Sequence, residues 1–371
     1  MSDGVHNPSA LSTTLDHLRW VSALAVLLGH AREVLFVPHF PPGALPVWAK
    51  ALYFLTNFQK EAVIVFFVLS GVLIGGKLMD YAARPAFPLG RYAIERLTRL
   101  YVVLLPALAL SLLPLLTGAC TGSVGAWLAS LVFLQDVAAP ALSCNEPLWS
   151  LANEFWYYVL GALVVLGPRR RLAWLVAAAV MGGLLVLDNA VDGRNVALHA
   201  PIWAMGMLAF SPGVPRLRLV PAVLVLAGAL VVSRLHLLDP VFWLRDAIIG
   251  AAVVLLLNAI AARPTPASPV GWGPVGWGPV RWGPVRWGRG LAGFSYSLYL
   301  THWPVLLLIR QTVLPTPLDP MQPRSYALAL AAAAVAFAVA FVFALATERQ
   351  TARVRRAVMA WGVAAGRLLK V

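Results

Sequence analysis

The stretch from residue 62 to residue 79 reads Ala62-Val-Ile-Val-Phe-Phe-Val-Leu-Ser-Gly-Val-Leu-Ile-Gly-Gly-Lys-Leu-Met79 and carries one charged side chain, that of Lys77. Its length is close to the about 20 apolar residues that an α-helix needs to cross a hydrocarbon core. We therefore predict an all-α, polytopic membrane protein with about ten transmembrane helices. The other nine apolar runs cover approximately residues 18–37, 100–117, 148–167, 172–187, 197–211, 218–233, 243–261, 292–313 and 327–347.

The composition excludes a soluble fold. Apolar residues make up 60% of the 371 residues and charged residues 12%, with a mean hydropathy of +0.78. Soluble domains carry about 25% charged residues, so a soluble enzyme and a disordered chain are excluded. Residues Met1 to Asp16 lack the basic region of a cleavable signal, and the run from Trp20 to Val37 is therefore interpreted as a membrane span.

The positive charges indicate how the chain crosses the bilayer. The net charge is +14, and cytoplasmic loops of polytopic proteins are rich in Lys and Arg. With ten spans and a cytoplasmic N-terminus, most of the 29 lysines and arginines fall on the cytoplasmic side, so we expect both termini there and no nucleic acid partner. An eleventh apolar run, residues 124–135, is too short to cross and is predicted to be re-entrant or interfacial.

This pattern divides the chain into a membrane domain, residues 1–347, and a basic cytoplasmic tail, residues 348–371. A Pro-, Gly- and Trp-rich loop, residues 264–290, interrupts the membrane domain with four tandem five-residue copies. Proline and glycine at this density do not form a helix. The copies are interpreted either as a lengthened cytoplasmic connection or as an interfacial tryptophan anchor.

The two cysteines, Cys120 and Cys144, exclude a zinc cluster of four thiolates, and no metal site is expected. Both are predicted to face the outer side of the membrane. A disulfide and two free thiols are both compatible with that location.

Ionisable groups inside a bilayer are costly, so each one is a candidate functional residue. Arg19 and His30 are eleven residues apart, which places them on one face of a helix, with His30 roughly 16 Å beyond Arg19 along the axis. Glu33 follows one turn later on the same face. A histidine near its ordinary pKa is suited to general-base catalysis, and Glu33 can orient or charge it.

Three arginines are predicted at the cytoplasmic mouth of the bundle. Arg96 and Arg99 lie one turn apart at the start of the third span, level with Arg19. Guanidinium groups bind phosphate oxygens bidentately, so this arrangement suits a phosphorylated ligand. The alternative is that they are topology signals.

Further polar groups are predicted in the same column. Glu154 lies about two turns into the fourth span and is expected at a depth similar to that of His30, and His302 falls near the middle of the ninth span. Ser70, Tyr299 and Trp149 are candidates for the wall of a cavity. For these residues the alternative is helix packing or an interfacial belt.

Five segments, in this order, resemble the acyltransferase 3 family of integral membrane acyl-transfer proteins. They are Leu15-Asp-His-Leu-Arg19 with its spacing to His30, Phe66-Phe-Val-Leu-Ser-Gly71, Arg96-x-x-Arg99, Pro147-Leu-Trp-Ser-Leu-x-x-Glu154 and Ser295-Tyr-Ser-Leu-Tyr-Leu-x-His-Trp-Pro304.

The resemblance implies transfer of an acyl group, with acetyl from acetyl-CoA expected, to a hydroxyl of a glycan or lipid-linked saccharide outside a bacterial inner (plasma) membrane. It implies that His30 is catalytic, that Arg19 is its motif partner and that the paired arginines bind the acyl-CoA donor. Glu154 and His302 match family positions of unassigned role.

The predicted mechanism has His30 as general base, with Glu154 or Glu33 stabilising its imidazolium. Ser70 or Tyr299 would donate to the oxyanion, and an acyl-histidine intermediate is the competing route. A polytopic transporter or flippase of a polysaccharide precursor is the alternative function, and a scaffold of a polysaccharide assembly complex is a third.

Overall fold

The computed structural model describes residues 10–38, 45–168, 170–187, 196–235, 237–262, 288 and 290–368. Regular structure in these residues is helical, and their β pairing is confined to two isolated bridges, Phe36 with Leu318 and Gln135 with Ala139. The helices are α1 (Ala10–Leu35), α2 (Val47–Leu55), α3 (Gln59–Ala82), α4 (Leu89–Leu116), α5 (Val124–Leu131), α6 (Trp149–Leu166), α7 (Arg171–Leu187), α8 (Val196–Met207), α9 (Leu219–Arg234), α10 (Phe242–Ala261), α11 (Ser295–Thr312), α12 (Pro323–Ala346) and α13 (Thr351–Leu368).

Five helical segments are long and apolar enough to cross a membrane. They are Val47–Ala82, Leu89–Leu116, Ser143–Leu166, Asp239–Ala261 and Pro323–Gly362. Each of the ten predicted runs falls on a helix. The helices α7, α8 and α9 have only 17, 12 and 16 residues, and α1 and α11 carry polar groups that lower their hydropathy. The count of ten spans and the location of the termini remain predictions.

Helix α3 packs backbone to backbone against α8. A Cβ atom built on Gly71 would collide with the Trp203 carbonyl, and one built on Gly206 would collide with the Val68 carbonyl. Small residues allow such close crossings between helices in membranes. Gly71 therefore has a packing role, and the crossing brings Trp203 Nε1 within 3.2 Å of Ser70 Oγ, to which it donates.

A second cluster joins α1, α11 and α12. Alanines of α12, including Ala336 and Ala340, are fully buried with Leu27 of α1 and Leu306 of α11. Because alanine side chains are short, the three helix axes approach closely. The packing places the second half of α1 beside the middle of α11.

The segment between α4 and α6 turns back into the bundle. Cys120 and Cys144 form a disulfide, which decides between the two states that the sequence left open. Helix α5 has eight residues, too short to cross a bilayer. Asn145 lies in a 3-10 helix, Ser143–Leu148, that precedes α6, and its Nδ2 donates to the Leu300 carbonyl at 2.8 Å. Helix α6 therefore begins level with the middle of α11.

Two predicted segments remain, the repeat loop and the basic tail. The repeat loop, residues 264–290, lies outside the described residues except for 288 and 290. The basic tail, residues 348–371, forms helix α13 over Thr351–Leu368. This helix packs along α4.

Candidate active site

A cavity of about 310 Å³, called here the arginine cavity, is enclosed by α1, α3, α4, α6, α11 and α13. It brings together the three predicted arginines, Arg19, Arg96 and Arg99. Burying several like charges is costly unless a counter-charge is present, so an excess of cations in a cavity suits an anionic ligand. The charged groups that line the cavity are Arg19, Lys77, Arg96, Arg99, Arg355, Glu95 and Glu154.

Glu95 holds the cations of one wall in place. Its carboxylate accepts hydrogen bonds from Tyr81 Oη at 3.0 Å and from Arg91 Nε at 3.2 Å. Its Oε2 lies 3.7 Å from Lys77 Nζ and 3.5 Å from Arg96 Nη2. Glu95 and Lys77 were not predicted from the sequence, although a carboxylate directly before Arg96 and a lysine in an apolar run are usable signals.

Glu154 belongs to the arginine cavity rather than to the surroundings of His30. The Tyr158 hydroxyl donates to its Oε1, and its carboxylate attracts the Arg99 guanidinium. The expectation that Glu154 and His30 lie at one depth is therefore not met. The reason is the inward turn before α6: Trp303 Nε1 donates to the Ser143 carbonyl at 3.1 Å, so α6 begins deep in the bundle and carries Glu154 further in.

His30 lies in a second cavity of about 180 Å³, called here the histidine cavity. Glu33 and Trp149, two of the predicted residues, line it as well. The polar and aromatic groups around it are His30, Glu33, Gln59, Lys60, Glu146, Trp149, His199, Phe242, Arg245, Asp246, Tyr299 and Trp303. Ser70 lines the arginine cavity instead, so the structure separates Ser70 from His30.

His30 and His302 are hydrogen-bonded, and the pattern fixes their tautomers. His302 Nδ1 lies 2.9 Å from the Leu298 carbonyl, which can only accept, so Nδ1 of His302 carries the proton. His302 Nε2 lies 2.8 Å from His30 Nδ1 and must accept from it. With Nδ1 of His30 donating, Nε2 is the unprotonated nitrogen of the neutral ring. The two ring planes are nearly parallel, with an interplanar angle of 11°.

Tyr299 lies between the two cavities, because both are lined by this residue and by Val63. Its hydroxyl lies 2.7 Å from Ser150 Oγ and 3.2 Å from the Pro147 carbonyl. These contacts hold the ring at the junction. A ligand with its charged end among the arginines and its reactive end near His30 must pass beside Tyr299.

A second titratable cluster in the histidine cavity was missed by the sequence analysis. His199 Nε2 lies 3.2 Å from Asp246 Oδ2, and both side chains are buried. Arg245 Nε donates to Asp246 Oδ1 at 3.0 Å. An ionisable residue in each of two apolar runs was a usable signal, but their pairing across 47 residues was not readable from one helix.

Within the described part of the chain, no group of three or more His, Cys, Asp or Glu side chains has an arrangement suited to holding a metal ion. The polar groups of both cavities are instead arranged as hydrogen-bonded or ion-paired clusters. The chemistry that they can perform directly is anion binding in one cavity and proton transfer in the other.

This chain is similar to a known protein family and to a curated protein. The sequence model of a family described as an acyltransferase domain matches residues 13–344. Acyltransferase MdmB of Streptomyces mycarofaciens is 28% identical over 252 residues, which cover 65% of this chain. The match spans 61% of the length of that relative, less than two thirds. No solved structure matches the chain.

Proposed function

Since this chain belongs to the acyltransferase 3 family, we propose that it is a membrane O-acyltransferase. It transfers an acyl group, with acetyl expected, from cytoplasmic acyl-CoA to a hydroxyl of a glycan or lipid-linked saccharide at the outer side. The observation that carries this proposal is the pairing of His30 with His302 in a cavity that shares Tyr299 with the arginine cavity.

In this proposal the donor lies along both cavities. Its phosphates bind Arg19, Arg96 and Arg99, since guanidinium groups match phosphate oxygens in charge and geometry. Arg96 is buried and held by Glu95, which supports a pre-organised site. The thin pantetheine arm extends past Tyr299, and a distance of roughly 16 Å along α1 separates Arg19 from His30.

The transfer step uses His30 as the general base. Its Nε2 takes the proton of the acceptor hydroxyl, and the oxygen attacks the thioester carbonyl. Collapse of the tetrahedral intermediate breaks the C–S bond, and the imidazolium returns its proton to the leaving thiolate. An acyl-histidine formed by attack of Nε2 on the thioester is the competing route.

Two further side chains assist this step. His302 accepts from His30 Nδ1 and so stabilises the imidazolium, a role that the sequence analysis gave to Glu154 or Glu33. Glu33 lines the same cavity and remains a second stabilising group. Tyr299 lines both cavities and can donate to the oxyanion once its hydroxyl turns from the Pro147 carbonyl, whereas Ser70 lines only the arginine cavity, away from His30.

We also propose ten spans with both termini in the cytoplasm of a bacterium and the protein in its inner membrane. The disulfide supports this orientation, because disulfides persist in oxidising compartments. Cys120 follows the end of α4, whereas Arg96 and Arg99 lie near its start, so the arginines are at the opposite, cytoplasmic end. The membrane domain is then residues 1–347, with a basic cytoplasmic tail over 348–371.

Proteoliposomes containing the purified protein test the function. They are given acetyl-CoA labelled in its acetyl group and a lipid-linked oligosaccharide as acceptor. Label on the acceptor is the expected result. Movement of the acceptor across the bilayer without label would instead identify a transporter or flippase. If the acceptor is neither labelled nor moved, the proposal is contradicted, and the result favours a scaffold role in a polysaccharide assembly complex.

A further inference from the structure

Helix α13 contributes two side chains to the arginine cavity, although it lies beyond residues 13–344, which the family matches. Thr351 and Arg355 line the cavity and are partly buried. Arg353 and Arg356 of the same helix are exposed. The spacing of four residues places Thr351 and Arg355 on one face, directed at the cavity, while neighbouring arginines face away.

The start of α13 is anchored to the wall of the site. Glu348, three residues before the helix, accepts hydrogen bonds at 2.9 Å from both the backbone N–H and the hydroxyl of Ser297 in α11. Ser297 precedes Tyr299 by two residues. Gln350 adds a bond from its Nε2 to the Leu345 carbonyl at 2.9 Å. The segment before α13 is therefore anchored to the helix that carries Tyr299 and His302, and α13 itself packs along α4.

Arg355 adds positive charge where positive charge is already in excess. Its charge acts unfavourably on the Lys77 ammonium, which lines the same cavity. Among the described residues no carboxylate forms an ion pair with Arg355, and Glu95 is already shared by Lys77, Arg91 and Arg96. Like charges held together in this way are stabilised when an anion binds between them.

We propose that Arg355, together with Lys77 and the Thr351 hydroxyl, forms a phosphate subsite at the mouth of the arginine cavity. Its ligand is a phosphate of the nucleotide part of the acyl donor, so the inference rests on the proposed function. Helix α13 is then part of the donor site. A phospholipid headgroup offers the same chemistry, and the experiment below separates the two sources.

The experiment measures binding of radiolabelled acetyl-CoA to the purified full-length protein in an uncharged detergent. Arg355→Ala is compared with Arg356→Ala, which removes the same charge from the exposed neighbouring position. A charge-assisted hydrogen bond lost from a binding site weakens affinity about 10-fold or more. We expect that change in Kd for Arg355→Ala, a change of less than about 2-fold for Arg356→Ala and partial recovery in Arg355→Lys.

Competition by pantetheine, which carries the thiol arm without phosphates, shows whether the change in Kd arises from contacts with the phosphates. The subsite predicts that pantetheine competes equally well in wild type and Arg355→Ala, and this result also shows that the variant is folded. Equal Kd values for Arg355→Ala and Arg356→Ala would overturn the inference. So would loss of co-purified anionic phospholipid from Arg355→Ala, measured by mass spectrometry, without a change in Kd. Failure of wild type to bind acetyl-CoA would contradict the proposed function itself.

Discussion

The proposed role of His30 as general base depends on His302, which accepts a hydrogen bond from its Nδ1 atom. His302 is locked by the Leu298 carbonyl one turn away, so its Nε2 can only accept from His30 while both rings are neutral. Positioned hydrogen bonds of this kind keep a base in its reactive tautomer. Because the proton of the neutral His30 ring is on Nδ1, its Nε2 is the basic nitrogen that can accept the proton of the hydroxyl.

Replacing His302 tests this positioning role. His302→Leu is expected to lower kcat about 100-fold, in the range typical of general acid–base contributions, with KM for acetyl-CoA changed little. His302→Gln, whose amide oxygen can accept from His30 Nδ1, is expected to retain more activity than His302→Leu. Steady-state kinetics of the three proteins measures this. Equal loss in both variants would indicate a role in packing alone.

At the scale of helices, the crossing of α3 and α8 involves a helix of each cavity wall, because Ser70 of α3 lines the arginine cavity and His199 of α8 lines the histidine cavity. Val68, Gly71 and Gly206 bring the two backbones into contact, and Trp203 of α8 reaches Ser70 from this crossing. Core positions without room for added atoms respond by backbone shifts. The crossing is therefore sensitive to single methyl groups.

Gly71→Ala is expected to destabilise the protein by about 1–3 kcal/mol, because its Cβ meets the Trp203 carbonyl. Gly76→Ala is the matched control on the same helix, since a Cβ there meets nothing within 4 Å. Thermal unfolding in detergent compares the two. An equal melting temperature for both variants would show that the crossing is looser than described.

The sequence predicts the arrangement of residues within a helix better than the arrangement of one helix against another. Helical periodicity predicted Arg19 and His30 on one helix, and both lie in α1, but the arginines and the histidine line separate cavities that share Tyr299. Periodicity does not determine how deep another helix begins, and so it misjudged the depth of Glu154. Partners such as His302, which is 272 residues from His30, depend on packing between helices.

At the scale of the whole molecule, the distribution of charge and the disulfide distinguish the two ends of the helix bundle. The arginine cavity and basic helix α13 lie toward one end, and the segment closed by Cys120 and Cys144 follows the other end of α4. A donor and an acceptor can then enter from opposite sides. The account requires the end that carries Arg355 to face the cytoplasm.

Fusions at the C-terminus test that orientation. Green fluorescent protein fused after residue 371 is expected to fluoresce, whereas alkaline phosphatase at the same point is expected to be inactive, because it needs an oxidising compartment. The full chain serves as host for both reporters, so each controls for expression of the other. Active phosphatase with a dark fluorescent fusion would place α13 outside and exclude it from a cytoplasmic donor site.

The most direct test is transfer of labelled acetyl from acetyl-CoA by His30→Ala in proteoliposomes. His17→Ala is the matched control, since His17 also lies in α1, bonds to the Thr13 carbonyl of its own helix and lines neither cavity. We predict that His30→Ala transfers no label while its Kd for acetyl-CoA stays within about 2-fold of wild type, and that His17→Ala keeps its activity. Transfer by His30→Ala at the wild-type rate would contradict the account.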